Sequence, residues 1–308
     1  MRLYRNLKEL GRNPRPIVLA VGVFDGVHLG HQAVIRKAAR LAMTTGSDAG
    51  MLTFHPHPAK VLRPRECPPL LTTEMQDIEL FSSFGADFTL VMDFTPGLAR
   101  IEPRAFLDRL HRCVPMLRGV VVGPRWRFGR DRDGDFTLLH QWAALRAIET
   151  IEVPAVEVEG HAVSSTAIRR LIAKGNIKAA NARLGRPYQI VGRVEPGDAL
   201  GRKMGIPTAN LHVENEVLPA KGVYAARVLV EGEVFAAAVN VGTRPTVKTG
   251  GAMRVEAHLI DFSGDLYGYH LRVDLIERLR GEKKFPDTTS LSSQILLDLL
   301  AAAKLAHD

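Results

Sequence analysis

The chain has 308 residues, enough for two domains rather than one. Hydrophobic residues make up 46% and charged residues 24%, which excludes disordered, collagen-like and low-complexity classes. The formal net charge of +8 comes from Lys and Arg scattered along the chain, with aromatics at only 6%, which reads first as solvated surface and next as binding of polyanionic small molecules, so nucleic acid is not the expected partner.

No apolar run approaches the roughly 20 residues of a membrane helix. The N-terminus carries no apolar segment of secretory type. Cys67 and Cys113 outline no disulfide scaffold. The expectation is a cytoplasmic protein without membrane partners, monomeric or a weak homo-oligomer.

In chain order, the first informative stretch runs from Ile17 to His31. Ile17, Val18, Leu19, Val21 and Val23 read as a buried strand that ends at Asp25-Gly26. From Gln32 on, Val34, Ile35, Ala38, Leu41 and Ala42 recur at helical spacing. Between strand and helix lie His28 and His31, separated by Leu29 and Gly30. A strand end, a glycine-bearing turn and a helix N-terminus make an anion site, because free backbone N–H groups point outward there. Two imidazoles three residues apart can reach one phosphate chain, and Gly30 lets the backbone approach it closely. A simple helix cap is the plainer reading of the same residues. A zinc site using His55 and His57 is a third, but no suitably spaced cysteine completes it.

Gly50–Phe54 reads as a second strand, ending in Phe-His-Pro-His-Pro. Strand, helix and strand make a βαβ unit and hence a parallel sheet, whose ligands sit at the strands' carboxyl ends. A helix over Ile78–Phe84, a strand over Phe88–Met92 and a helix over Pro103–Leu110 follow. Gly119–Gly123 is wholly apolar and reads as a central strand. The loop after it, Pro124–Asp135, is rich in arginine and suits phosphate oxygens or simple exposure. A last strand at Ile151 leads to Val163-Ser-Ser-Thr-Ala-Ile-Arg169, where Ser165 or Thr166 can cap a helix from Ala167. A further helix over Asn176–Leu184 stops at Gly185.

Beyond Gly185 helical periodicity gives way to strand alternation, which sets the domains at 1–185 and 186–308. Tyr188–Val194, Val223–Val230, Val234–Val241, Val255–Ile260 and His270–Leu275 read as strands, with a hairpin turn at Glu231-Gly232. Strands without intervening helices predict an antiparallel barrel, and an amphipathic helix through Leu291, Ile295, Leu299 and Ala302 closes the chain. The Gly-rich segment Gly197–Gly205 can lie along phosphates but lacks the Gly-Lys-Ser/Thr of a P-loop. Pro207-Thr-Ala-Asn210 reads as a plain turn, or, with its hydroxyl and amide oxygen, as hard ligands of the kind Mg²⁺ takes beside phosphates. Glu256 is a carboxylate within a strand.

Phe24-Asp-Gly-Val-His-Leu-Gly-His31 resembles the HxGH signature of the nucleotidyltransferase superfamily, in the wording of the bacterial FAD synthetases. Ser164-Ser-Thr-Ala-Ile-Arg169 is similar to the motif that closes on nucleotide phosphates in that family. Gly-Arg-x-x-Gly-x-Pro-Thr-Ala-Asn-Leu, Gly222-Val-Tyr, Asn240-Val-Gly-Thr-Arg-Pro-Thr246, Glu256-x-His258, Asp265-Leu-Tyr-Gly268 and Leu279–Phe285 resemble the riboflavin kinase domain.

The resemblance implies a Rossmann-like α/β nucleotidyltransferase domain with a parallel sheet, followed by a riboflavin-kinase antiparallel β-barrel with a C-terminal helix. It implies ATP-dependent conversion of riboflavin to FMN and of FMN to FAD, with Mg²⁺ as cofactor. Carried over residue by residue, it puts Glu256, His28, His31 and Arg169 in catalysis. ATP falls to Gly22, Phe24, Asp25, Gly30, Ser165, Thr166, Gly201, Lys203, Pro207, Thr208 and Asn210. Thr208 and Asn210 would also hold the metal, and His57, Arg125, Phe128, Arg280 and Phe285 would contact flavin. Three positions depart from the family's pattern: Arg125 replaces an acceptor side chain, Ala167 stands where Arg is frequent, and Asp77 where Lys is frequent. The alternatives are a kinase whose first domain only binds flavin or nucleotide, and a nucleic-acid binder on the same fold.

Overall fold

A computed structural model describes residues 1–197, 206–243 and 253–307. Its contacts divide the chain into two units, Met1–Ser164 and Ser165–Asp308.

The first unit runs β1 (Arg2–Tyr4), α1 (Leu7–Leu10), β2 (Ile17–Val21), α2 (Leu29–Thr44), β3 (Asp48–His55), α3 (Pro58–Leu62), α4 (Glu74–Ser83), β4 (Phe88–Asp93), α5 (Pro96–Ala99), α6 (Pro103–Cys113), β5 (Leu117–Val122), α7 (Phe136–Ala144) and β6 (Glu149–Glu152), then a small hairpin of β7 (Glu157–Val158) and β8 (His161–Ala162). The 6-stranded sheet has the order β1-β4-β3-β2-β5-β6, and its pairs are all parallel. A parallel sheet is covered on both faces, which is why its strands read as unbroken apolar runs. Every residue of β2 is buried. Its side chains alternate between two cores: Ile17, Leu19 and Val21 join Leu107, Leu110 and Trp142, while Val18 and Ala20 join Val34, Ile35 and Ala38. β5, expected to be central, is interior but next to last, between β2 and β6.

The second unit runs α8 (Ser165–Ala173), α9 (Ile177–Leu184), β9 (Tyr188–Glu195), β10 (Ala209–Val213), β11 (Gly222–Val230), β12 (Glu233–Thr243), β13 (Met253–Leu259), β14 (His270–Arg280) and α10 (Thr288–His307). The strands close into a barrel ordered β10-β13-β12-β11-β14-β9, with antiparallel pairing throughout. The turn expected at Glu231-Gly232 joins β11 to β12, both residues having positive φ (50° and 92°), as tight hairpins favour. Along β13, Val255, Ala257 and Leu259 are buried inside the barrel, while Arg254, Glu256 and His258 alternate to its outer side. α10 covers β11, β12 and β14. It is tied there by Asp298, whose carboxylate takes a forked pair of bonds from Arg280 at 2.8–3.0 Å.

α8 and α9 pack with the barrel. Ile177, Ala180 and Leu184 of α9 are buried. Asn181 donates to the Leu275 carbonyl at 2.9 Å and accepts the Tyr188 N–H at 2.7 Å. α9 stops at Gly185, which takes the left-handed conformation (φ 67°) expected of a terminating glycine. The contact division after Ser164 and the change of periodicity after Gly185 therefore differ by this helix pair. α8 begins at Ser165, so Ser165 and Thr166 lie within its first turn and are not the residues before it.

Candidate active sites

In the first unit, β2, β3 and β4 succeed one another towards one edge, and β5 and β6 towards the other. The direction of winding changes between β2 and β5, and a crevice at such a switch point is where open α/β sheets bind ligands. β2 runs into Gly22–His28, β3 into His57, and β5 into the Arg125–Phe128 loop, so these candidates share the sheet's carboxyl edge.

His28 caps α2: its Nδ1 accepts the His31 backbone N–H at 3.3 Å. A nitrogen that accepts is deprotonated, so in the neutral ring Nε2 carries the proton and is a donor. The two imidazoles stack at 3.6 Å with 16° between planes, and Phe24 meets His31 edge-on at 5.3 Å. A Cβ at Gly30 would press on the His28 ring at 3.2 Å. The cap of the plainer reading is present, and it leaves the two stacked imidazoles at the helix N-terminus. Buried Asp25 accepts the Leu71 N–H at 2.7 Å, and Gly26 donates to Thr72, which donates to Asp77 at 2.6 Å. Asp77 holds this loop in place through a hydroxyl that a lysine could not anchor by accepting.

His57 caps α3, its Nδ1 accepting the Ala59 N–H at 3.1 Å. Arg125 is exposed with φ 57°, and its N–H donates to Glu152 at 3.1 Å. Phe128 is largely buried, stacked under Trp126 at 4.4 Å. Ser165, Thr166 and Arg169 belong to the second unit.

In the second unit, Asn210 of β10 lies directly across from Glu256 of β13, which is also paired with Asn240 of β12. All three take the outward side of their strands. Gly197 allows the Asn210 side chain to lie against the backbone: a Cβ there would be 2.1 Å from Asn210 Nδ2. His258 bonds the Pro207 carbonyl at 2.6 Å, fixing the start of β10 beside Thr208. Arg254 links the cluster, with its Nε donating to Asn210 Oδ1 at 2.8 Å and lying 3.0 Å from Glu256 Oε1. The Arg280 guanidinium is committed to Asp298 and lies over the Phe285 ring, at 5.7 Å.

Asn210 and Glu256 are thus gathered on one face, and Thr208 stands two residues before Asn210, just ahead of β10. Asn210 sits in the barrel wall, where the sequence reads as a turn. Gly201 and Lys203 lie outside the described residues. Arg254 was missed, although its position two residues before Glu256 in an alternating strand already puts both on one side. Among the described residues no group of His, Cys, Asp or Glu is arranged to hold a metal alone. The donors present, a hydroxyl and an amide oxygen, suit a hard cation that arrives with substrate phosphates.

A histidine pair at the carboxyl edge of a parallel sheet in one unit, and an amide oxygen beside a carboxylate on the barrel of the other, fit a two-site transferase. Residues 11–167 match the family model for FAD synthetase and residues 184–306 that for riboflavin kinase. The chain belongs to the bifunctional riboflavin kinase/FMN adenylyltransferase family. The relative of that name from Pseudomonas fluorescens is 34% identical over 306 residues, covering 99% of this chain and 98% of its own. Those from Escherichia coli K12 and Bacillus subtilis are each 34% identical, over 304 and 285 residues, covering 98% and 91% of this chain and 97% and 90% of their own. A crystal structure described as a macrolide-efflux protein from Streptococcus pneumoniae shares the fold at TM-score 0.89, with 30% identity and 98% of each chain covered. Among the described residues of this chain, no helix is long and apolar enough to cross a membrane.

Proposed function

We propose that the barrel unit phosphorylates riboflavin to FMN and that the α/β unit adenylylates FMN to FAD, each with its own ATP. In the first step the ribityl hydroxyl attacks the γ-phosphorus of ATP, ADP leaves, and Glu256 takes the hydroxyl proton. Thr208 and Asn210 would hold Mg²⁺, which when bound supplies charge neutralisation at the phosphates. Gly197 leaves room for the Asn210 side chain and the Pro207–His258 bond fixes the chain just before Thr208, and Arg280 and Phe285 would border the flavin.

In the second step a phosphate oxygen of FMN attacks the α-phosphorus of ATP and pyrophosphate leaves. That oxygen is already anionic and needs no base, so catalysis is positioning and charge stabilisation. His28 and His31 at the amino end of α2 would hold the nucleotide phosphates, with Gly22, Phe24, Asp25 and Gly30 shaping the turn. By the family's motif, Ser165, Thr166 and Arg169 of α8 would bind nucleotide phosphate. His57, Arg125 and Phe128 would face the flavin side. Arg125 removes an acceptor found in the family and adds a cation where negative charge gathers.

One observation carries this reading. The two family matches fall on different stretches of chain, and each stretch has its own candidate site: His28 with His31, and Asn210 with Glu256. Products from riboflavin and Mg-ATP test it. FAD is expected; FMN alone would reduce the first unit to a binding module, and neither product would overturn the assignment altogether. Glu256→Ala should abolish FMN formation yet leave FAD formation from supplied FMN. His28→Ala should do the reverse, slowing adenylylation by orders of magnitude.

A further inference from the structure

We infer that Arg254 is an internal counter-cation of the kinase site, occupying the oxygens that metal–nucleotide and substrate need and leaving them only when Mg-nucleotide binds. The inference rests on Asn210 being a metal ligand and Glu256 the base, as proposed above.

An amide oxygen has two lone pairs. Asn210 Oδ1 receives two N–H groups from the same guanidinium, from Nε at 2.8 Å and from Nη2. Both acceptor sites are thus taken, and the oxygen has no lone pair to offer a cation. The same Nε is 3.0 Å from Glu256 Oε1, so the fork also covers the carboxylate that would receive the riboflavin proton. The amide orientation follows from chemistry: turned over, Asn210 would point its own N–H groups at a group that only donates.

Strand pairing makes this arrangement. Arg254 and Glu256 are alternate residues on the outer side of β13, and Asn210 is the direct cross-strand partner of Glu256. The side chains of Arg254 and Glu256 are 25% and 26% exposed, so the guanidinium can leave without opening the barrel core. A divalent ion at Asn210 would repel a guanidinium held this close, so the two compete for one place. Arginine suits the role because its planar fork can fill both lone pairs at once; a lysine ammonium is a single point charge.

Mn²⁺ is the probe, since its free ion is read directly by electron paramagnetic resonance. The full chain is titrated with Mn²⁺ in the presence of ADP, as wild type, Arg254→Met, Arg254→Lys and Asn210→Ala. The adenylyltransferase unit adds the same background to all four. Arg254→Met should bind Mn²⁺–ADP at least three-fold more tightly than wild type, and Arg254→Lys should fall between them. Asn210→Ala should lose the barrel's share of binding. If Asn210→Ala loses that share while both Arg254 variants bind as wild type or more weakly, Arg254 is no competitor and the inference fails alone. If Asn210→Ala binds as wild type, the ligand assignment fails and the inference with it. Should Arg254→Met not fold, by its circular dichroism melt, Arg254→Lys decides the matter in the same way.

Discussion

Gly197→Ala is the most direct test of the barrel site, because its effect can be worked out from a single contact. The added Cβ would lie 2.1 Å from Asn210 Nδ2, 2.4 Å from Cγ and 2.6 Å from Oδ1, whereas ordinary contact begins near 3.4 Å. Relief requires a relative shift of more than 1 Å, either of the Asn210 amide or of the strand end that carries Gly197. Misplacing a reacting group by about 1 Å can cost about 100-fold in rate, which is about 2.7 kcal/mol in the barrier. The backbone of Gly197 is not left-handed, so alanine adds crowding without conformational strain, and the barrel's melting temperature should change little. FMN formation from riboflavin and Mg-ATP should therefore fall about 100-fold, while FAD formation from supplied FMN should match wild type. A variant that phosphorylates riboflavin at the wild-type rate would show that the position of Asn210 does not matter to the reaction.

Three further outcomes are expected. A fragment starting at Ser165 should fold and melt higher than one starting at Arg186, because the shorter fragment uncovers the barrel surface under Ile177, Ala180 and Leu184; equal melting temperatures would show that α8 and α9 add nothing. Asp48 should contribute to stability at neutral pH and lose that contribution in acid. Burial alone would raise its carboxyl, but hydrogen bonds from Arg2 and Asn13 and the charges of Arg2 and Arg15 outweigh burial and hold it below the ordinary value. A lowered carboxylate stabilises fully above its unfolded pKa of about 3.9 and less as pH falls through the folded one, so the melting gap between wild type and Asp48→Asn should close below about pH 4; a gap constant with pH would refute the charge argument. For Asp274 burial dominates and raises the carboxyl, despite the Gln189 hydrogen bond and nearby arginines. The sign is opposite, stability being lost as pH rises through that raised pKa, so Asp274→Asn should raise the melting temperature at pH 7 and a drop would contradict it.

The parallel sheet was legible because burial on both faces leaves unbroken apolar runs such as Ile17–Val21, and the barrel because alternation survives along β13 and the first half of β14. β1 escaped notice, since three residues, two of them exposed, are too few to show a period. β10 was hidden by Pro207 and Thr208, which read as a turn, although the strand starts at the next residue. The helix pair α8–α9 carries no sign of which unit it joins, because amphipathic spacing shows that a face is buried and not what buries it. Among candidate site residues, His28 and His31 stood out by their place between a strand end and a helix start. Arg254 did not, since only the fold brings its guanidinium to Asn210, 44 positions away.

The alternation along β13 sets how this strand can evolve. Val255, Ala257 and Leu259 hold the barrel shut, while Arg254, Glu256 and His258 are free of that duty. Exchanging any one of the outer three leaves the barrel's inner packing in place, so chemistry at this face can be retuned one residue at a time. Adding or deleting a single residue is different in kind. It would turn every side chain beyond it to the other side of the wall, driving charge inward and valine outward in one event. The strand therefore tolerates spelling changes but not a shift of reading frame.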